Sequence, residues 1–515
     1  MKQKQRIQSD PFTKKGKTLP QTLIDFTGEC WLVGGALRDA ALGLDFSDLD
    51  LVLPPCSNFE KKVFRLAAQL NAVAFEMDAE NSVWRITGKG ETPFQIDILP
   101  FQGNSIEEDI RRRDFTVNAL ALKLDKDTPL YYNPGRNTFS LRFQPEHITD
   151  LCHGLDDIRK KRISAVSEDV FSSDPLRMLR AFRIAAEHGF KISVKTLNLI
   201  KQNAALVKNS AGERVRDELM KILNRNDSCF WIKKIHAAGL LFEIFPELKA
   251  QPECAVDYYG AGGVLRHTFA VLDRTDMFFS GIKEFCPHHN LLSKHINTDK
   301  PAVFKMAALL HDIAKPAKAA FIDGRLRFFG HEECGAIIAE EILKRLHFPK
   351  DEIRMVSSVI GSHLRPGNLA VNEIISERAM FRLFRAMGSN TLPLLVLCWA
   401  DYASYITPHR LESMKERLGG PPDDIDVTKL PYNSYKKTLR FLQVIYKLAA
   451  AFMEKGPDIH GRLFADGSDV MKILEIQPGP EVGKILELLR LRQFEGKIKS
   501  REDALEWLRK QAVKR

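Results

Sequence analysis

The first pattern in this chain that could do chemistry is a pair of aspartates, Asp48 and Asp50, in the run Asp-Leu-Asp-Leu-Val-Leu. Strand side chains alternate faces, so both carboxylates point the same way, with Leu49, Val52 and their neighbours expected to anchor the other face. Two carboxylates side by side repel unless a cation lies between them. Mg²⁺ suits such a pair, because it takes one or two carboxylates and fills its shell with substrate phosphates. Asp97, in Gln-Ile-Asp-Ile (95–98), places a third acid inside another apolar run, where a charge is costly unless it is functional or paired. Three unpaired acids around two metals would serve in-line transfer of a nucleotidyl group. A lone Asp-x-Asp is more often an exposed turn. The neighbouring patterns favour the metal reading.

A second pattern is rich in histidine. His267, His311-Asp312, His331, His363 and Asp401 follow one another in otherwise apolar, helix-periodic sequence. Met306–Lys315 is an apolar helix pattern with an abrupt polar pair inside it. Imidazole and carboxylate together suit Ni, Co, Mn, Fe or Zn better than Ca. Taken singly, each histidine reads as a structural core residue; as a set they read as ligands. Lys315, close to the pair, could stabilise a phosphate charge.

The elements that must position these groups can be read from the same sequence. Cys30–Val33 is an apolar strand ended by Gly34-Gly35, and Ala36–Leu42 reads as a short helix. A glycine pair at that junction lets a phosphate approach the backbone and the free N–H groups of a helix start. Strands and helices alternate to about Thr149. From Asp150 to Pro246 the period is helical. Gln251–Gly263, rich in Gly, Pro and Tyr, reads as a linker. Helical periodicity then runs from Leu265 to about Tyr405, and a helical tail, broken at Pro478-Gly479-Pro480, ends the chain. The fold class expected is therefore α+β: a mixed sheet with helices first, then helix only. Residues 1–27 are read as a basic, mobile arm.

Length and composition bound the alternatives. The 515 residues are 44% hydrophobic and 28% charged, which excludes wholesale disorder and fibrous classes. No apolar run approaches ~18 residues, so no membrane span is expected, and the basic N-terminus lacks the apolar core of a secretory signal. Lys and Arg number 76 against 66 Asp and Glu, for a net charge of +10, which favours a polyanionic partner. Eight cysteines with no CxxC pair read as reduced thiols of a cytoplasmic protein.

As a set, GGALRD (34–39), DLDLVL (48–53) and RRDFTVNALAL (112–122) resemble the DNA polymerase β-like nucleotidyltransferase superfamily. The resemblance is to its class II branch of CCA-adding tRNA nucleotidyltransferases and bacterial poly(A) polymerases, and it covers residues 28–245. It implies a polymerase-β-like head over 28–149 and an all-α neck and body over 150–250, linked through Asp150, Gly154 and Asp157. Asp48, Asp50 and Asp97 would be catalytic, the first two on Mg²⁺. Gly34, Gly35, Arg38, Arg112, Asp114, Asn118 and Arg180 would surround the nucleotide. Ser173-Asp174-Pro175-Leu176-Arg177 matches the family's EDxxR template, in which Asp174 and Arg177 read the edge of the incoming base. The chemistry of that pair can be argued separately. Three residues apart on a helix, the two share a face. A carboxylate accepts from the amine of C or A while a guanidinium donates beside it, and U and G present the opposite pattern. By spacing alone the pair is equally an ordinary helix ion pair. Ser173 and Ser164 depart from the family's Glu and basic residue.

The histidine set resembles the HD phosphohydrolase superfamily, a domain that some class II CCA-adding enzymes carry after the body. The resemblance implies a domain over 258–405 with His267, His311, Asp312 and Asp401 as the core metal set and His331 and His363 holding a second metal. The tail, 406–515, resembles the family's tRNA-contacting segment, with Lys484, Arg490, Arg492, Lys497 and Lys499 suited to phosphate. The activity implied is template-independent addition of CCA, or part of it, to tRNA 3′ ends from CTP and ATP. The alternatives are a poly(A) polymerase, a CC-adding or A-adding half enzyme, or, in another class, an RNA-binding HD phosphohydrolase whose head only docks.

Overall fold

The computed structural model describes residues 17–79, 81–89, 94–281, 300–372, 374–431, 434–459 and 462–512. The chain divides into two compact units, the first ending at Ser210 and also taking in Ala237–Glu243, the second holding Ala211–His236 and everything from Ile244 on. The stretch 150–250, expected as one body, is shared between them. The α+β expectation holds, with a mixed N-terminal sheet followed by helix.

The first unit is built on β1 (Trp31–Val33), β2 (Asp48–Leu53), β3 (Ala72–Asp78), β4 (Val83–Gly88), β5 (Gln95–Pro100) and β6 (Ala121–Lys123), with a hairpin of β7 (Leu130–Asn133) and β8 (Thr138–Leu141), and finally β9 (Ile148–Thr149). One seven-stranded sheet runs β3-β4-β5-β2-β1-β6-β9. Only β2 and β5 pair in parallel; every other neighbouring pair in this sheet is antiparallel. Their register sets Asp48 beside Gln95 and Asp50 beside Asp97, so the acids of two separate apolar runs meet on one face. Val52 has the parity of the aspartates and not of the opposite face. It is buried further along their own side, in a cluster with Trp31, Val33, Ile106 and Ile110, under the helix Ile106–Arg111.

The expected mobile arm ends sooner than residue 27. Leu19–Thr27 is a helix, started by Thr18, whose side chain accepts from the Gln21 N–H while Gln21 reaches back to the Thr18 N–H. Its Leu19 and Leu23 are buried against the helix Phe59–Gln69. The apolar positions of a short amphipathic helix outweigh the basic residues before it. The part of the arm before Lys17 lies outside the described residues.

The junction segment explains its own composition. Asp150 accepts from the Gly154 and Leu155 N–H groups at 2.7 and 3.0 Å, capping the helix Gly154–Arg159. Asp157 accepts from the Thr116 hydroxyl at 2.6 Å and from Arg162 at 2.7 Å. A Cβ on Gly154 would stand 2.1 Å from the Thr116 carbonyl oxygen.

Among the described residues the second unit is helical apart from one hairpin, Ala320–Ile322 with Arg325–Arg327. Its helix Gly263–Phe279 packs against Pro301–Leu310 and Thr391–Ala403. Buried Lys305 pairs with Asp276 at 2.7 Å, and Asp276 also accepts from Ser228 and the Cys229 N–H. The tail helices Gly467–Leu474, Pro480–Phe494 and Arg501–Ala512 close over their own core of Val470, Leu489, Ala504 and Leu508. Two of the basic residues expected to face phosphate, Arg492 and Lys497, pair with Glu495 at 3.2 and 2.8 Å. One described stretch, Glu377–Ala403, is apolar enough to cross a membrane, yet 67% of its most apolar window is buried inside the protein. All seven described cysteines are free thiols.

Gly154→Ala should lower stability by about 1–3 kcal/mol, because a methyl group is forced against backbone that cannot rotate away. Calorimetric melting checks this, and an unchanged first transition would show that the Thr116 segment yields.

Candidate active site and metal centre

Two clusters stand out, one in each unit. In the first, Asp48 is exposed and Asp50 half-buried on β2. Gly34 ends the neighbouring strand at φ +75°, and a Cβ there would lie 3.2 Å from Arg113 Nη1 and 3.4 Å from Asp50 Oδ2. The glycine therefore opens the acid face directly. Burial pushes the Asp50 carboxyl up to about 6, and the charges of Asp97 and Asp48 push the same way against Arg113 and Arg180. A carboxylate so destabilised gains from a bound cation.

Asp97 corrects one expectation: it is not unpaired. Arg85, its cross-strand partner on β4, binds it through two hydrogen bonds, Nε to Oδ1 and Nη2 to Oδ2, both 2.8 Å. The acid tolerates its apolar strand because a neighbouring strand supplies the countercharge, which strand pairing alone reveals.

Four residues expected at the nucleotide form one connected network. Arg38 Nη1 donates to Asn118 Oδ1 at 2.7 Å, and Asn118 Nδ2 donates to Asp114 Oδ1 at 3.0 Å. Arg180 donates to Asp114 Oδ2 through Nε and Nη2, at 3.0 and 2.8 Å. Burial opposes ionisation of Asp114, but the Arg180 charge and the donors on its oxygens hold it down at about 2. Gly35 makes room for this chain, since a Cβ there would sit 3.3 Å from Arg38 Nη2. Arg112 is exposed and lends its carbonyl to Arg177.

The template pair is arranged differently from the expectation. Asp174 does not share a helix face with Arg177. Its backbone is extended (φ −147°, ψ 100°) and the helix begins at Arg177. Pro175 is the cause, since the residue before a proline is pushed out of the α region. Asp174 Oδ1 accepts from the Leu176 N–H at 3.2 Å. Ser173, which replaces the family's Glu, still holds the arginine: Arg177 Nη1 donates to Ser173 Oγ at 3.3 Å and Nη2 to the Arg112 carbonyl at 3.0 Å.

The second cluster gathers all six candidates of the histidine set, every one buried. Ligand atoms of His267, His311 and Asp401 lie together, as do those of Asp312, His331 and His363. Asp312 faces both groups. Its Oδ2 is 3.4 Å from His267 Nε2 and 3.2 Å from His311 Nε2, and its Oδ1 is 3.4 Å from His331 Nε2 and 3.8 Å from His363 Nε2. Three imidazoles are fixed by backbone carbonyls, His311 Nδ1 on Ala308, His331 Nδ1 on Phe328 and His363 Nδ1 on Ile360, at 2.7–2.8 Å. A carbonyl only accepts, so each Nδ1 holds a proton and each Nε2 offers a lone pair. His267 follows by another route. The Ser404 hydroxyl spends its proton on the Asp401 carbonyl at 2.6 Å, so it accepts from His267 Nδ1 at 3.2 Å.

The donor set fits a transition metal. His267 Nε2, His311 Nε2, Asp312 Oδ1 and Asp401 Oδ1 are buried without a hydrogen-bond partner, and lone pairs facing one another are costly until a cation accepts them. Burial pushes His267 down and His363 to about 4, so both are neutral near pH 7. Burial works against protonation of His311 too, but the Asp312 charge raises it. Asp312 is held well below the usual carboxylate range, against its burial, by His311 and Lys315. Lys315 Nζ bonds Asp312 Oδ2 at 2.6 Å and the Tyr259 hydroxyl at 2.8 Å.

Sequence reasoning missed the walls of this cluster. The segment Gln251–Gly263 is not a free linker. Gln251 is fully buried and donates to the Asp312 carbonyl at 3.2 Å. Val256–Tyr259 is helical, and Tyr259 stacks on His267 at 4.9 Å while Tyr405 stacks at 5.1 Å. Its Gly and Pro content signals turns, and only the two adjacent tyrosines hinted at packing. In the first unit Arg85, which carries no motif, was missed, and Arg113 stands inside the RRDFTVNALAL run without marking itself as the neighbour of Asp50.

Comparison with known proteins adds independent findings. Residues 30–164 match the poly A polymerase head domain, 189–251 the probable RNA and SrmB-binding site of polymerase A, and 264–406 the HD domain. An A-adding tRNA nucleotidyltransferase of Deinococcus radiodurans is 29% identical over 92% of this chain and 93% of its own. A CC-adding tRNA nucleotidyltransferase of Geobacter sulfurreducens is 28% identical over 94% and 92%. Among solved structures, a CCA-adding enzyme in its apo form superposes with a TM-score of 0.58 at 17% identity, over 95% of this chain and 93% of that one. The Thermotoga maritima CCA-adding enzyme complexed with tRNA gives 0.55 at 18%, with coverage of 95% and 93%. At that identity the structures establish the shared fold.

Cation binding at the acid face should depend on pH in one direction. Asp50 protonates as pH falls through about 6, so the Mn²⁺ binding that is lost in Asp50→Asn should weaken between pH 7 and pH 5. Electron paramagnetic resonance titration of free Mn²⁺ with the wild type and the variant reads this difference. A difference of the same size at both pH values would mean that Asp50 is not the titrating ligand.

Proposed function

The chain belongs to the class II tRNA nucleotidyltransferase and poly(A) polymerase family, with an appended HD domain, and from that premise we propose that it adds CCA, or part of it, to the 3′ end of tRNA from CTP and ATP. The observation that carries this is the in-register Asp50–Asp97 pair, with Asp48 two residues away and Gly34 against Asp50. In the reaction the terminal ribose hydroxyl attacks the α-phosphate, the bond to the β-phosphate breaks and pyrophosphate leaves. Asp48 and Asp50 would hold Mg²⁺, with Asp97 completing the acid face under the grip of Arg85. Bound there, Mg²⁺ would acidify the attacking hydroxyl and neutralise charge on the departing oxygens.

The remaining work falls to the chain itself. Gly34 and Gly35 leave the backbone open where a phosphate would approach. The Arg38–Asn118–Asp114–Arg180 network ties the head to the helix Arg177–His188 and so fixes where a base would meet Arg177. Ser173 and the Arg112 carbonyl hold part of the Arg177 guanidinium, and a base edge would meet the rest. Discrimination by such a pair is worth about 1–3 kcal/mol per base.

For the HD domain we infer a phosphohydrolase acting on small phosphoesters such as 2′,3′-cyclic phosphates or 2′-nucleotides, the kind of damaged RNA end that must be trimmed before CCA addition. His267, His311 and Asp401 would hold one ion and His331 and His363 another, with Asp312 between them. An ion of the Ni²⁺, Co²⁺ or Mn²⁺ type there would supply a hydroxide near neutral pH. Lys315 keeps Asp312 ionised, and Tyr259 and Tyr405 exclude water from the His267 faces. The cytoplasm, where tRNA is processed and thiols stay reduced, is the compartment this reading assigns.

A second reading within the family has its own support. The A-adding and CC-adding relatives match along 92% or more of this chain, whereas CCA-adding enzymes of lactobacilli match over 38–41% of it. That favours one half of a split pair. Three tRNAs, ending before CCA, after CC, and complete, given CTP and ATP singly and together, separate the readings. Full extension of the first supports CCA addition. Arrest after CC marks a CC-adding enzyme, and extension of the CC-ended tRNA alone marks an A-adding one. Long adenylate tails on unrelated RNA, or no extension of any tRNA, would contradict the proposal.

A further inference from the structure

Next to the histidine–aspartate cluster lies a cavity of about 680 Å³ whose walls include Tyr258, Arg325, Arg327, Lys437 and Phe441, and the cluster's own chemistry does not use it. Its position is set by the chain. The hairpin Ala320–Ile322/Arg325–Arg327 begins five residues after Lys315 and ends four before His331, so both of its ends are anchored at the cluster. Phe328, directly after Arg327, gives its carbonyl to His331 Nδ1 at 2.7 Å, and its ring lies 5.7 Å from Lys315 Nζ. Tyr258, also in the wall, packs edge-on against Tyr259 at 5.1 Å, and Tyr259 is the ring stacked on His267.

The charge of the cavity is one-sided. Arg325 and Arg327 are two apart on one strand, so they share a face, and both are exposed. Among the described residues neither has a carboxylate partner. Lys437 is half-buried behind them, and its ammonium is pushed down by burial and by the nearby Arg327 charge. Lys429, also at the rim, pairs with Asp426 at 3.0 Å and is not counted. The Arg325 and Arg327 guanidinium groups repel one another until an anion enters, and the Lys437 ammonium, 5.9 Å from the Phe441 ring centroid, adds to the positive side. Guanidinium groups match phosphate oxygens in geometry. Tyr258, 46% exposed, offers a ring face of the kind on which a base stacks.

We propose that this cavity is a nucleotide subsite, in which Arg325, Arg327 and Lys437 hold the phosphodiester of a single-stranded RNA end and Tyr258 stacks its base, presenting the terminal phosphoester to the buried histidines and aspartates. The proposal deepens the phosphohydrolase reading and rests on it for the fate of the bound end. It makes the preferred substrate an oligoribonucleotide terminus and not a free small phosphoester.

The test uses the full chain supplied with Ni²⁺ and two substrates, bis(4-nitrophenyl) phosphate and a pentaribonucleotide ending in a 2′,3′-cyclic phosphate. In Arg325→Ala/Arg327→Ala the KM for the pentanucleotide should rise about tenfold or more relative to the KM for the small ester, and its dependence on salt should flatten. Arg325→Lys/Arg327→Lys should restore part of the loss, because the charge returns without the fork. In parallel, a pentanucleotide carrying 4-thiouridine at its last base is photo-cross-linked and the attachment mapped. Attachment to Tyr258 or to the hairpin 320–327, reduced in the double alanine variant, supports the subsite. Equal effects on both substrates, or attachment only elsewhere, overturn it. If the wild type hydrolyses neither substrate, the phosphohydrolase reading falls, and the cross-link alone still decides whether RNA occupies the cavity.

Discussion

Crowded carboxylates in the head and converging buried lone pairs in the HD domain are the constraint on which both halves of this chain turn. In the head the parallel pairing of β2 and β5 aligns Asp50 with Asp97 and puts Asp48 on the same face. The sheet order leaves Asp97 with Arg85 on its other side. One acid is thus neutralised by the protein, while burial, together with the charges of Asp97 and Asp48, lifts the Asp50 carboxyl to about 6 against Arg113 and Arg180. The surrounding glycines and the Arg38–Asn118–Asp114–Arg180 chain make sense as parts that keep the face open and the nearby helix in place.

The HD cluster meets the same problem with different donors. Here the negative charge is fully buried, and one carboxylate, Asp312, faces four imidazoles at 3.2–3.8 Å. Backbone carbonyls and one serine fix the proton on each Nδ1, so the lone pairs converge. An open carboxylate face suits a hard ion that arrives with its nucleotide, whereas a closed nitrogen-rich cage suits a softer ion that stays. The two centres share no residue.

Much of this could be read before any coordinates. The alternation in 48–53 put Asp48 and Asp50 on one face, and the short histidine motifs with the resemblance to the HD superfamily picked out the six residues that the structure brings together. What could not be read depends on pairing between distant segments. Arg85 is one polar residue in an apolar run until β4 lies beside β5. Gln251 and Tyr259 sit in a stretch whose glycines and proline signal turns, yet the stretch folds back to wall the cluster. Asp174 differs in kind. Pro175 follows it in the sequence, and a proline restricts its predecessor, so the extended backbone of Asp174 is itself legible there. In the arm, Leu19 and Leu23 carry more weight in a short helix than the lysines before them.

On this reading the protein presents a crowded acid face and a cage of buried lone pairs that cations would complete. Crystals of the full chain soaked in Mn²⁺ and measured at the manganese absorption edge test it most directly. Anomalous peaks are expected beside Asp48 and Asp50 and among His267, His311, Asp312, His331, His363 and Asp401. Crystals that diffract well with both side-chain clusters ordered and no anomalous density at either would contradict it.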